Sequence, residues 1–80
     1  MENKIAELIE CLAQIEEDTS LPKNIKLKIR CAITALEEET EFKTRANKAI
    51  RELEDISENQ NVPSYVRPQI WNVLSMLEGL

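Results

Sequence analysis

The sequence predicts an all-α fold of four helices, arranged as two tandem antiparallel helix-turn-helix units related by an internal duplication. Three observations carry that prediction. Apolar residues recur at intervals of three and four, the second half repeats the first at a constant offset of 41 positions, and each half sets a proline, Pro22 or Pro63, just past a short polar turn. Eighty residues allow one domain, 1–80, with internal repeats at about 2–38 and 42–79.

The repeat is read by laying residues 9–37 over 50–78. Ile9, Leu12, Ile15 and Glu17 meet Ile50, Leu53, Ile56 and Glu58; Pro22, Ile29, Leu36 and Glu37 then meet Pro63, Ile70, Leu77 and Glu78 without a gap. Conservative pairs lie between them, including Leu21 with Val62, Ile25 with Val66, Lys26 with Arg67 and Ile33 with Leu74.

Each element follows in order. Ile5, Leu8, Ile9, Leu12 and Ile15 form one stripe on a helix of 3.6-residue period, a spacing that strand alternation does not fit. Asp18 to Leu21 supply a turn, with Ser20 expected as N-cap and Pro22 in the first turn of the second helix, where a missing N–H costs least. Ile25, Ile29, Ala32, Ile33 and Leu36 make the second stripe. A short acidic link, Glu37 to Glu41, follows, with Thr40 as the expected cap. The third helix carries Phe42, Ala46, Ala49, Ile50, Leu53 and Ile56, its two alanines allowing close approach to a neighbour. After a turn from Asn59 to Val62, capped by Asn61, the fourth helix carries Val66, Ile70, Val73, Leu74 and Leu77. Pro68 breaks the symmetry, standing where the first half has Leu27. It predicts a kink, or a short turn over 63–67 with a fresh helix start at Pro68.

Composition narrows the chemistry. The chain is acidic, with net charge −5, so non-specific attraction to nucleic acid or anionic membrane is not expected. Charge appears within the first four residues and the stretch that follows is amphipathic, which points to a cytoplasmic protein with no signal peptide and no membrane span. Cys11 and Cys31 are read as two reduced thiols; they lie outside any C-x-x-C spacing, Cys11 sits about a quarter-turn from the centre of its stripe and Cys31 points largely away from its own, so no disulfide is expected.

Catalytic groups are sparse. The absence of histidine excludes Ser-His and Cys-His nucleophile pairs and the Glu-x-x-His pattern of di-metal bundles. The single glycine, Gly79, excludes a glycine-rich phosphate loop. Acidic runs at 16–18 and 37–41 read as solvated helix ends, with weak divalent-ion binding as the alternative. The expectation is a protein that is not an enzyme and has no catalytic residue, cofactor or metal.

Two surface features remain. Trp71 falls about 115° from the centre of the fourth stripe and Met76 flanks that stripe on the other side; together they are the candidate partner surface, the alternative being a tryptophan tucked over the edge of a small core. Lys23, Lys26 and Arg30, at i, i+3 and i+7, share one edge of the second helix, and Arg67 repeats Lys26. These four are the candidate basic edge, for phosphates or for ion pairs with acidic helix ends.

A helix pair of about 41 residues with Pro22, Ile25, Lys26 and the aliphatics of 32–36, echoed by Pro63, Val66, Arg67 and 73–77, resembles a HEAT repeat. The resemblance implies a helical stack serving as a binding scaffold, so the architecture is expected to be either a HEAT-like pair or a four-helix bundle. The segments 16–25 and 56–71, from Glu16-Glu17-Asp18 through Pro22-Lys23-Asn24-Ile25 and from Ile56-Ser57 through Pro63 to Gln69-Ile70-Trp71, are also similar to UPF0147, a small archaeal family of uncharacterised proteins. That resemblance implies a compact four-helix domain in an archaeal cytoplasm and carries no assigned function. The functional expectation is a non-enzymatic interaction or scaffold module that binds a protein partner or self-associates as a homodimer. The alternative is an RNA- or ribosome-associated protein using the basic edge.

Overall fold

The structure, a computed structural model, describes residues 2–80, with side chains from Asn3 onward. Among them are four α-helices and no strand: α1 (Glu2–Glu16), α2 (Lys23–Glu37), α3 (Phe42–Glu58) and α4 (Val66–Glu78). The apolar stripes face inward. Leu8, Leu12, Ile25, Ile29, Leu53, Ile56 and Ile70 are fully buried, and no polar or charged side chain among the described residues is buried with them. Ile9 and Ile50 lie at the stripe edges and are half-buried.

The turns depart from the expected caps. Ser20 does not cap α2; Pro22 occupies the N-cap position, with φ −58° and ψ 150° and no side-chain cap bond. A proline suits that place because the helix needs its carbonyl and not its N–H. The Pro22 carbonyl accepts from the N–H groups of both Ile25 and Lys26 at 3.1 Å. Thr40 yields to Glu41 at the start of α3, and Asn61 yields to Tyr65 at the start of α4, again with no side-chain cap bond in either case. The polar turn residues act one step earlier. Asp18 Oδ1 accepts from the Ser20 N–H at 2.9 Å and Asn59 Oδ1 from the Asn61 N–H at 2.8 Å, the carboxyl or carboxamide bonding its own backbone two residues on.

At Pro68 the chain follows neither expected form in full. A tight turn, closed by the Val66 N–H on the Pro63 carbonyl at 2.9 Å, precedes α4, and the helix starts at Val66, two residues before Pro68. Pro68 therefore sits in the first turn, where N–H groups have no partner within the helix. Relative to α2, the proline shortens α4 at its start and leaves the rest of the helix regular.

The helices close into a ring. Each packs on its neighbours in sequence, α1 on α2, α2 on α3 and α3 on α4, and α1 returns to α4; the backbones of neither diagonal pair approach one another closely among the described residues. This gives the HEAT-like reading no support, because stacked hairpins bring first helix to first and second to second. The α2–α3 seam is the most extensive and α1–α4 the least. Facing inward, α3 has Ala46 and Ala49 where α1 has Ile5 and Leu8, so α3 can approach its neighbour more closely. Lys28, near the start of α2, reaches Glu52 and Asp55 toward the end of α3, at 3.9 and 3.5 Å. At the other end of the same seam Lys48 of α3 bonds Glu38, just beyond α2, at 3.0 Å, so the two helices run antiparallel.

Candidate interaction surface

The outer side of α4 differs from the other helix surfaces in charge. Arg67 and Glu78 are its only ionisable side chains within 66–78, and Arg67 is drawn off to one side, where Nη2 donates to the Asn59 carbonyl at 3.0 Å. Between those two, Pro68, Gln69, Trp71, Asn72 and Ser75 are all exposed. Trp71 stands 55% exposed, so it is not folded over the edge of the core. Pro68 lies one turn before it and Ser75 one turn after, which gives a ridge with one large aromatic ring and little side-chain entropy to lose on contact.

Met76 does not join Trp71. It is half-buried and packs against the core, and five residues at 100° each set it about 140° around α4 from Trp71. With Lys4, Leu8, Ser75, Gly79 and Leu80 it lines a small cleft of about 150 Å³ between the start of α1 and the end of α4.

The four candidate basic residues have different surroundings. Arg30 forms a two-pronged pair with Glu16 of α1, Nε donating to Oε2 at 3.0 Å and Nη2 to Oε1. That hydrogen bond and the Glu16 charge hold its guanidinium pKa above the usual value. Arg67 closes on the end of α3, and its buried Nε has no hydrogen-bond partner. Lys23 is exposed and Lys26 half-buried, the latter close enough for its charge to act on Asp18. Two of the four cationic groups are thus held by the protein's own acceptors.

Sequence reasoning missed two exposed apolar residues, Leu27 and Tyr65, at 57% and 54% exposure. Leu27 carried a signal, since it lies off the α2 stripe. Tyr65 carried none, because its partners are remote in sequence. Its hydroxyl donates to Asp18 Oδ2, and the Ser20 hydroxyl lies 2.6 Å from both Asp18 Oδ1 and the Tyr65 oxygen. The turn between α3 and α4 is thereby tied to the turn between α1 and α2. The Ser20 and Tyr65 hydroxyls, with the Ser20 backbone N–H, hold the Asp18 carboxyl below the usual carboxylate range.

Among the described residues no group of three or more His, Cys, Asp or Glu is placed to hold a metal ion, and no helix is long and apolar enough to cross a membrane. Both thiols are free, Cys11 half-buried and Cys31 exposed.

The fold and much of the sequence recur in other proteins. A crystal structure of a protein of unknown function, MMP1188, superimposes with a TM-score of 0.92 at 40% identity, covering 99% of this chain and 91% of that one. A UPF0147 protein of Sulfurisphaera tokodaii is 44% identical over 78 residues, which is 96% of this chain and 88% of the relative. One from Pyrococcus furiosus is 42% identical over 82 residues, 100% of this chain and 88% of the relative. The sequence pattern of the uncharacterised protein family UPF0147 matches residues 1–80 from end to end, and the chain belongs to that family.

Proposed function

We propose that this protein is a non-enzymatic, cytoplasmic interaction module that self-associates as a two-fold homodimer through the outer ridge of α4. The observation that carries the reading is Trp71, more than half exposed on a ridge free of charge. A two-fold contact sets a surface against its own copy, so like charges within it repel, and a protein of net charge −5 needs a neutral patch for that purpose. A stable interface buries about 800 Å² per partner, roughly a sixth of the 5005 Å² accessible here. Trp71 is then the anchor of a contact that spreads onto the flanks of α4.

Internal duplication of the two helix hairpins is part of the same proposal. Its support is the match between the turns. The Asp18 N–H to Ile15, Leu21 N–H to Asp18 and Ile25 N–H to Pro22 bonds recur 41 positions later as Asn59 to Ile56, Val62 to Asn59 and Val66 to Pro63.

Size-exclusion chromatography with light scattering, on native protein and Trp71→Ala, tests the dimer. The expected result is a native dimer that the substitution dissociates. A native monomer, or a dimer indifferent to Trp71→Ala, overturns the reading.

RNA binding is the second reading, favoured by the excess of basic over acidic side chains on α2: Lys23, Lys26, Lys28 and Arg30 against Glu37. It ranks below the first because Arg30 and Lys28 already pair with carboxylates. Labelled RNA that binds at low salt and is released steeply as salt rises would favour it; no binding at low salt removes it.

A further inference from the structure

The α1–α4 seam closes the ring and is its least extensive contact. Its composition can be compared with the α2–α3 seam through the 41-residue correspondence. In α2–α3, Lys28 spans the gap to Glu52 and Asp55. The corresponding residues in α1–α4 are Gln69, Cys11 and Gln14, which cannot form an ion pair. Those three, with Asp18 and Asn72, instead border an open groove of about 400 Å³ floored by Ile15 and Val73. At one end of this groove the Tyr65 hydroxyl crosses to Asp18. An ionised Asp18 accepts the single protons of Tyr65 and Ser20, one on each oxygen, so both hydroxyls are committed to the carboxylate.

We propose that the bundle opens locally at the α1–α4 seam and that the Tyr65 hydroxyl on Asp18 is the latch that holds the seam shut. Opening parts α1 from α4 while the α2–α3 seam stays packed; it uncovers Ile15 and Val73 and exposes further the Cys11 thiol, which is half-buried in the closed form. Such sub-global opening belongs at the seam where the backbones approach one another least. Gln69 and Asn72 border both this groove and the α4 ridge, so the rates are measured in a Trp71→Ala background, which separates opening of the seam from dimerisation.

Cys11, half-buried in the closed seam, reports opening through the urea-dependent part of its reaction rate. Its alkylation by iodoacetamide is measured in a Cys31→Ser background, which removes the exposed thiol, across a range of sub-denaturing urea. Tyr65→Phe is expected to speed the reaction by about three-fold or more, the effect of losing one solvent-screened hydrogen bond. The urea dependence should be much shallower than that of global unfolding. Asp18→Asn is expected to do the same, and it keeps the local turn, since Asn59 makes that turn in the second half. Lys28→Met, which cuts the ion pairs of the other seam, should leave the Cys11 rate unchanged. Equal rates in all variants overturn the proposal. So does a rate that rises with Lys28→Met as much as with Tyr65→Phe, or one that follows global unfolding. If Tyr65→Phe folds poorly, Asp18→Asn against Lys28→Met carries the same comparison.

Discussion

Asp18 and Asn59 make the same hydrogen bond 41 positions apart, each accepting from the N–H two residues on, at 2.9 and 2.8 Å. They differ in charge. The carboxylate of Asp18 also gathers the Ser20 and Tyr65 hydroxyls, a role for which the second half has no counterpart because Tyr65 corresponds to Asn24.

That difference gives a pH dependence with a definite sign. Hydrogen bonds from the Ser20 side chain, then from Tyr65, lower the folded-state pKa of Asp18 below its unfolded value. The carboxylate therefore stabilises the fold in full above the unfolded pKa, and the contribution is lost as pH falls through the folded one. Native protein should have a higher urea midpoint than Asp18→Asn at neutral pH, and the two midpoints should converge below the carboxylate range. A gap that stays constant down to strong acid would contradict this.

Leu12 and Leu53 occupy matching positions and both are fully buried. Truncating either to alanine removes buried methyl groups and leaves a cavity, at a cost of about 3 kcal/mol. Urea denaturation of Leu12→Ala and Leu53→Ala should return losses of that size for each. A near-neutral result at one site would mean that its half does not share the common core.

Prolines at matching positions should have unequal effects. Pro68 is the third residue of α4, where no N–H partner is lost, so Pro68→Ala should change stability by less than about 1 kcal/mol. Leu27 is the fifth residue of α2, inside its hydrogen-bond ladder, and Leu27→Pro should cost about 3 kcal/mol or more. Thermal melts of the two variants check the contrast.

The charges of α3 oppose its macrodipole. Lys43, Arg45, Lys48 and Arg51 fill its first part and Glu52, Glu54, Asp55 and Glu58 its last, with no acid in the first turn and no base in the last. Lys43→Glu and Glu58→Lys should each stabilise by about 0.5 kcal/mol at low ionic strength, and salt should erase the gain. Denaturation at two salt concentrations reads both effects.

Much of the fold was legible because burial follows period. Ile5, Leu8, Leu12 and Ile15 in α1, like Val66, Ile70, Val73, Leu74 and Leu77 in α4, are buried as their spacing requires. Boundaries were less legible. Ser20, Thr40 and Asn61 all look like caps, yet the chain starts its helices after Pro22, Glu41 and Tyr65. At Pro22 the proline's fixed φ competes with the cap preference and prevails, and around it Asp18 spends its oxygen on a turn. Which helices touch lay beyond the sequence, since a HEAT-like stack and a closed ring bury the same stripes. At the surface, off-stripe spacing left Trp71 either exposed or tucked over the core edge and the fold exposes it, whereas Met76 has the length and flexibility to fold back onto the core. The tie between Tyr65 and Asp18 spans 47 positions and leaves no local trace.

Lys4 and Leu80 border the same small cleft, so the outer ends of α1 and α4 lie side by side, while the α2–α3 connection is at the periphery of the ring. A circular permutant that joins those ends by a few residues and is cut near Glu39 would run α3, α4, α1, α2 without crossing the interior. It should fold to the same bundle with the former closing seam made covalently continuous, and native-like thermal unfolding would be its signature.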